Sequence, residues 1–247
     1  MQSVKLISYS NTNGKTLQEL VAYIARVSNP SNQSNNDTAP KLLSYLKKHA
    51  HWSPFEMVNI CMEINTTRDI ARQILRHRSF SFQEFSQRYA DPTNDLDFTL
   101  RELRYQDTKN RQNSIEPDLV YNPVDQVRNQ EWMERQQRVI AAAKSSYEWA
   151  IENGIAKEQA RSILPEGNTN SRMYMNGTLR SWLHYCDIRT GIETQKEHRQ
   201  IALECARIID NLLEGQEPVH ITIEDSETLR ARKIQSNIPP NFLRDTN

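Results

Sequence analysis

Apolar residues recur along this chain in two rhythms, one suited to helices and one to strands. Val4-Lys5-Leu6-Ile7-Ser8-Tyr9 reads as a short strand, and turn residues 11–14 follow it. Thr16-x-x-Glu19 then has the form of a capping box, and Leu17, Leu20, Val21, Ile24 and Val27 keep helical spacing until Asn29-Pro30 ends the run. After the polar loop 31–36 a second helix is predicted, with Asp37 or Thr38 as cap, Pro40 in its first turn and Leu42, Leu43 and Leu46 as its buried stripe. Over residues 57–65 the period shortens to two. Val58, Ile60, Met62 and Ile64 face one way and Asn59, Cys61, Glu63 and Asn65 the other, the alternation of a half-buried strand.

Thr66 or Thr67 can cap a helix over residues 69–76. Beyond a polar region at 90–124, a long helix is predicted over 125–153, closed by Gly154. Shorter helices follow at 157–163 and 179–188, the second with Leu179, Trp182, Leu183 and Cys186 on one face. Thr194-x-x-Glu197 has the form of a second capping box, ahead of a stripe of Ile201, Cys205, Ile208, Ile209 and Leu212. Val219, Ile221 and Ile223 suggest one more strand, and Pro239-Pro240 opens a tail. With no internal repeat or low-complexity linker, the pattern predicts one α+β domain over residues 1–215 and a partly mobile C-terminal extension over 216–247.

Composition narrows the function. Lys and Arg total 31 and Asp and Glu 31, so no chain-wide cationic field exists for nucleic acid or a membrane surface. Only six glycines occur, no two closer than ten apart. Gly-rich phosphate loops need neighbouring glycines, so any phosphate must be held by side chains. Three widely spaced cysteines, Cys61, Cys186 and Cys205, form no C-x-x-C pair and point to a reducing compartment, with Cys61 and Cys205 as packing residues. His49 and His51 are two apart with no third ligand in register, so no metal is expected. Without a membrane-length apolar run or the pattern of a signal peptide, the expectation is a soluble, cytoplasmic protein with no membrane partner.

Candidate chemistry concentrates at residues 76–89. Ile70, Ala71 and Ile74 define an apolar arc, and continuing the wheel sets His77 and Arg78 on or beside it. Arg68, Arg72 and Arg76 follow i, i+4, i+8 on another face, and for Arg68 and Arg72 a solvated helix surface is expected. Three cations in a row, Arg76-His77-Arg78, call for a neutralising anion or carboxylates. Phe80, Phe82 and Phe85 then interleave with Ser81, Gln83, Glu84 and Ser86. Spacing leaves two readings open: a surface that reads hydrogen-bonding edges, with Arg88 as a forked phosphate donor, or a structural strand with incidental polar groups.

Arg76-His77-Arg78-Ser79-Phe80-Ser81 followed by Glu84-Phe85-Ser86-Gln87-Arg88-Tyr89 resembles the signature of flavin-dependent thymidylate synthases. Other segments resemble that family in order: Ala25-Arg26-Val27-Ser28, residues 49–56, Ala71-Arg72-Gln73, residues 160–165, Leu179-Arg180-Ser181 and Ile188-Arg189. The resemblance covers about residues 1–213. It implies a central β-sheet with flanking helices, assembled as a homotetramer with shared active sites. The implied reaction methylates dUMP to dTMP, with FAD as cofactor and NADPH and methylenetetrahydrofolate as co-substrates.

Position by position, the resemblance implies an FAD site of Ser28, His51, Ser53, Arg76, His77, Arg78, Thr178 and His184. It implies a dUMP site of Gln73, Glu84, Ser86, Arg88, Arg161 and Arg189, with Arg161 reaching in from a neighbouring subunit and Arg189, Glu84 and Ser86 as the catalytic group. Gln83, Thr178, His184 and Glu193 depart from residues common in the family. The competing class is a nucleotide- or RNA-binding module in which Arg76-His77-Arg78 grips phosphates and the phenylalanines stack bases; the balanced charge counts against a nucleic-acid partner.

Overall fold

The computed structural model describes residues 2–11 and 14–215. The strand expected at Val219 to Ile223 and the tail lie outside the described residues. Strands β1 (Ser3–Tyr9), β2 (Asn59–Thr67) and β3 (Ser81–Glu84) are followed by a small hairpin of β4 (Tyr105–Gln106) and β5 (Ser114–Ile115), and then by β6 (Asn170–Thr178). The central antiparallel sheet runs β1-β2-β6-β3. β2 and β6 pair over nine residues, from Asn59↔Thr178 to Thr67↔Asn170. Ile60, Met62, Ile64, Met173 and Met175 are fully buried along one face of this pair, which gives the helices an apolar floor.

β1 and β2 lie where the alternation expects them. At the sheet edge, residues 81–84 form the short strand β3, and Phe80 is buried beside it. The central strand β6 is not predicted by the pattern of its residues. Asn170, Arg172, Asn176 and Gly177 have poor strand propensity, and the strand forms because β2 and β3 hydrogen-bond it from both sides.

Helix α1 (Leu17–Ala25) starts from a true capping box: Thr16 Oγ1 accepts from Glu19 N at 3.2 Å and Glu19 Oε2 from Thr16 N at 2.8 Å. Before α2 (Ala39–Lys48), Thr38 makes no side-chain cap; its hydroxyl accepts from Arg26 Nη2 at 2.7 Å instead. A single turn, α3 (Ser53–Glu56), leads into β2. Helix α4 (Arg68–Ile74) leaves β2 directly and stops at Ile74. The extended wheel therefore fails: His77 is half-buried, but Arg78 is exposed in the turn that follows.

α5 (Pro92–Asp95) is capped by Asp91, and the 30-residue α6 (Pro123–Glu152) by Asn122, with Gly154 at φ +76° just past its end. α7 (Lys157–Ala160) runs into a 3₁₀ turn at Arg161–Ile163. Thr178 caps α8 (Leu179–Arg189) through Ser181 N. The second capping box is absent: Gln195 precedes α9 (Lys196–Leu213), Thr194 Oγ1 donates to Ile188 O, and Glu197 is drawn into ion pairs. The stripe of α9 nevertheless packs into the core as its spacing requires, with Ile201, Cys205, Ile208, Ile209 and Leu212 all buried.

Gly177 in β6 is a point of close approach. A Cβ there would stand 2.5 Å from Phe80 Cδ1, and the Phe80 ring is itself braced 4.9 Å from Trp182 by ring centroids. Gly177→Ala is expected to lower stability by about 1–3 kcal/mol through overpacking. A urea unfolding midpoint equal to the parent's would contradict this.

Candidate active site

The turn after α4 brings the signature residues to two other elements, α8 and α9. Arg189, the last residue of α8, donates Nε–H to His77 Nε2 at 2.9 Å. The His77 ring lies edge-on to buried Tyr185, with centroids 4.9 Å apart. Tyr185 and buried His198 of α9 bond at 3.1 Å, and His198 Nδ1 meets Gln73 Oε1 of α4 at 3.2 Å. Gln73, His77 and Arg189 are thus joined around Tyr185 and His198, neither of which was singled out from the sequence. His198 sits three residues before Ile201 and seven before Cys205, so a polar residue on the apolar stripe of α9 was the available signal.

Burial, then the charges of Arg189, His184 and Arg76, pushes the His77 pKa down from 6.5 to about 4. Burial, then Arg189, His77 and Arg76, pushes His198 down to about 3. Both rings are neutral near pH 7. A protonated His77 would also turn a second N–H against the Arg189 donor.

A second group surrounds β3 and the segment after it. Glu84 Oε1 accepts from Ser171 Oγ at 2.7 Å and pairs with Arg68 at 3.6 Å; the two side chains are only 19% and 12% exposed. Arg68 is therefore an inward ion-pair partner, which corrects the solvated surface expected for it; Arg72 is exposed and pairs with Glu166 at 3.0 Å. Burial lowers the Arg68 pKa, and the neighbouring charges of Arg72 and Arg161 add to that against the pull of Glu84 and Glu166. Arg161 thus lies within range of Arg68 in the same chain. Arg88 and Glu158 pair at 3.2 Å across a cleft of 410 Å³ lined by Ser86, Arg88, Tyr89, Ala156, Lys157 and Glu158.

A third group includes part of the set expected around FAD. Thr178 Oγ1 donates to Glu56 Oε2 at 2.8 Å, Arg180 pairs with Glu56 at 2.6 Å, and Ser181 Oγ reaches Ser79 O at 3.3 Å. These bonds draw α3, with Ser53 at its start, and the beginning of α8 to the 76–79 turn. Hydrogen bonds from Arg180 and Thr178 hold the Glu56 carboxyl below its ordinary range. Ser28, His51, Ser53, Arg76, Arg78 and His184 are exposed, and the His51 ring lies 6.1 Å from Tyr45. The guanidinium groups of Arg76 and Arg78, the His184 imidazole and the Ser53 hydroxyl about this turn fit an anionic, aromatic dinucleotide without a Gly-rich loop. Thr178 is committed to its cap and to Glu56.

The two neutral histidines set the sign of a pH dependence. Unfolding frees them to bind protons below pH 6.5, so their contribution to stability is full above that pH and is lost as pH falls toward 4. The unfolding midpoint of the ligand-free parent should drop more steeply between pH 6.5 and 5 than that of His198→Gln. Parallel curves would contradict the assignment.

The sequence model of the family described as thymidylate synthase complementing protein matches residues 5–213. A probable flavin-dependent thymidylate synthase of Paramecium bursaria Chlorella virus 1 is 47% identical over 209 residues, covering 83% of this chain and 93% of the relative. The flavin-dependent thymidylate synthase of Synechocystis sp. is 49% identical over 189 residues, covering 76% and 82%. The crystal structure of the UMP/dUMP methylase PolB from Streptomyces cacaoi bound with 5-Br UMP shares the fold at a TM-score of 0.69 and 24% identity, over 86% of this chain and 90% of that one. With the signature turn tied to α8 and α9 and the family match spanning nearly all described residues, the chain belongs to the flavin-dependent thymidylate synthase family.

Proposed function

We propose that this protein methylates dUMP to dTMP, with residues 1–215 as the working domain and 216–247 as an extension. The observation that carries the reading is the Arg189–His77 bond, which fixes the guanidinium at the end of α8 onto the signature turn. Because Nε serves His77, the two Nη groups remain to face a ligand. Two such donors beside a pyrimidine stabilise the negative charge that develops on the ring as C5 becomes nucleophilic. Arg88, held over the cleft by Glu158, is suited to the nucleotide phosphate, where a forked donor matches two oxygens. Gln73, Ser86 and Arg161 supply further donors, and the Glu84 carboxylate, held by Ser171 and Arg68, supplies a fixed acceptor.

Arg76, Arg78, Ser53, His51, His184 and Ser28 would hold FAD. When bound, it supplies the hydride of the reaction, with NADPH as its source and methylenetetrahydrofolate as the carbon donor. Homotetramer assembly, with sites shared between subunits, completes the proposal and agrees with the openness of the signature turn in one chain.

The three thiols stand against covalent attack on the pyrimidine. Cys186 and Cys205 are fully buried, and burial pushes both pKa values up, as it does for half-buried Cys61 on β2. An anaerobic assay of dTMP from dUMP with NADPH and reduced folate tests the reading. The parent should form dTMP, and a Cys61, Cys186 and Cys205 triple substitution to Ala or Ser should stay within roughly tenfold of it, about 1.4 kcal/mol in barrier. An inactive, flavin-loaded parent would overturn the function. A loss of several orders of magnitude in a folded, flavin-loaded triple variant would restore a catalytic thiol.

A further inference from the structure

The amide of Gln73 belongs to a chain of hydrogen bonds that begins at a buried carboxylate. Glu197, at the start of α9, pairs with Arg101 at 3.3 Å and with Arg104. Burial alone would raise the Glu197 pKa, but the hydrogen bond from Arg104 and the charges of Arg101 and Arg104 outweigh it and hold the group ionised. An ionised carboxylate only accepts. Gln195 must therefore turn its Nε2 to Glu197 Oε2, at 3.0 Å, which leaves its Oε1 facing Gln73.

The polarity passes along the chain of bonds. Gln73 donates Nε2–H to Gln195 Oε1 at 2.7 Å, so its own Oε1 faces His198 Nδ1 at 3.2 Å and requires a proton there. Neutral His198 then has a bare Nε2, and Tyr185 must donate to it across 3.1 Å. Every donor and acceptor from Glu197 to Tyr185 is assigned by the one charge at its end. His198 and Tyr185 are fully buried, whereas Gln73 is half-exposed. After these bonds the Gln73 amide keeps one free Nε2–H and one free Oε1 lone pair, each in a fixed direction.

We infer that Glu197, Gln195, His198 and Tyr185 are positioning residues, a polarised relay that fixes which end of the Gln73 amide meets an acceptor oxygen of the substrate nucleotide. This rests on the reading of Gln73 as a dUMP contact. Glu197→Gln should reverse the relay. Its carbonyl oxygen would take the two arginines and its amide would donate to Gln195. Gln195 and Gln73 would then flip in turn, and His198 would move its proton to Nε2. A presented donor would become an acceptor at the same place, so substrate oxygen would meet repulsion where it had a bond.

The test uses the flavin-loaded full chain labelled with ¹⁵N-histidine. The parent is expected to show His198 protonated at Nδ1 and bare at Nε2, and Glu197→Gln the opposite. In the same variant the KM for dUMP should rise roughly tenfold while kcat stays within about threefold and flavin content is unchanged. Gln195→Leu, at an exposed position that tolerates substitution, cuts the relay and should raise KM alone. An Nε2-protonated parent overturns the relay. A reversed tautomer with parental KM, or parental KM in Gln195→Leu, overturns its role in recognition; dTMP formation by the parent stands apart from each of these results.

Discussion

One guanidinium holds the site together. Arg101, in the irregular segment between α5 and β4, donates Nη2 to Thr67 and to Asp69, each at 2.6 Å, and Nε to Gly167 O at 2.9 Å, while Nη1 pairs with Glu197 at 3.3 Å. Its own backbone exchanges two hydrogen bonds with Gln136 of α6, at 2.7 and 2.8 Å. The side chain is 15% exposed, so its charge is compensated by two carboxylates rather than by water. A fork of five donors can serve the β2–α4 junction, the start of α9 and the strand-entry loop together, which an ammonium cannot.

Because Arg101 fixes Asp69 and Glu197 to a common point, the N-terminal ends of α4 and α9 are set relative to each other. Gln73 lies one turn further along α4 and His198 one residue beyond Glu197, and so both inherit that placement. Arg189 is placed from the other direction, by the packing of α8 on the sheet and by its bond to His77. The interior side of the site is thus built from satisfied polar groups in a low-dielectric setting, while the arginines expected at phosphates stay exposed. This asymmetry suits an enzyme whose ligands arrive from solvent and whose recognition must be set before they do.

The legible parts of this molecule were those in which one periodicity dominates. The strand alternation of β2, the stripe of α9 and the capping box of α1 are local, and local chemistry is enough to form them. β6 was not legible, because its pairing partners lie roughly ninety residues or more away along the chain. Arg68 looked solvated because a helical wheel counts faces and cannot know that Ser171 and Glu84 cover one of them. Glu197 looked like a capping residue, yet two arginines from a region that carried no pattern outbid the backbone for it. Gln73 and Arg189 entered through family resemblance alone; their supporting residues Tyr185, His198 and Gln195 became visible only with the tertiary contacts.

The Arg101 fork, and not its charge alone, docks α4 against the start of α9. Arg101→Lys keeps the cation and removes the fork, so amide hydrogen exchange read segment by segment tests it directly. Exchange is expected to speed up across α4 and the first turns of α9, with the β2 and β6 amides as protected as in the parent. Unchanged exchange in α4 and α9 would contradict it.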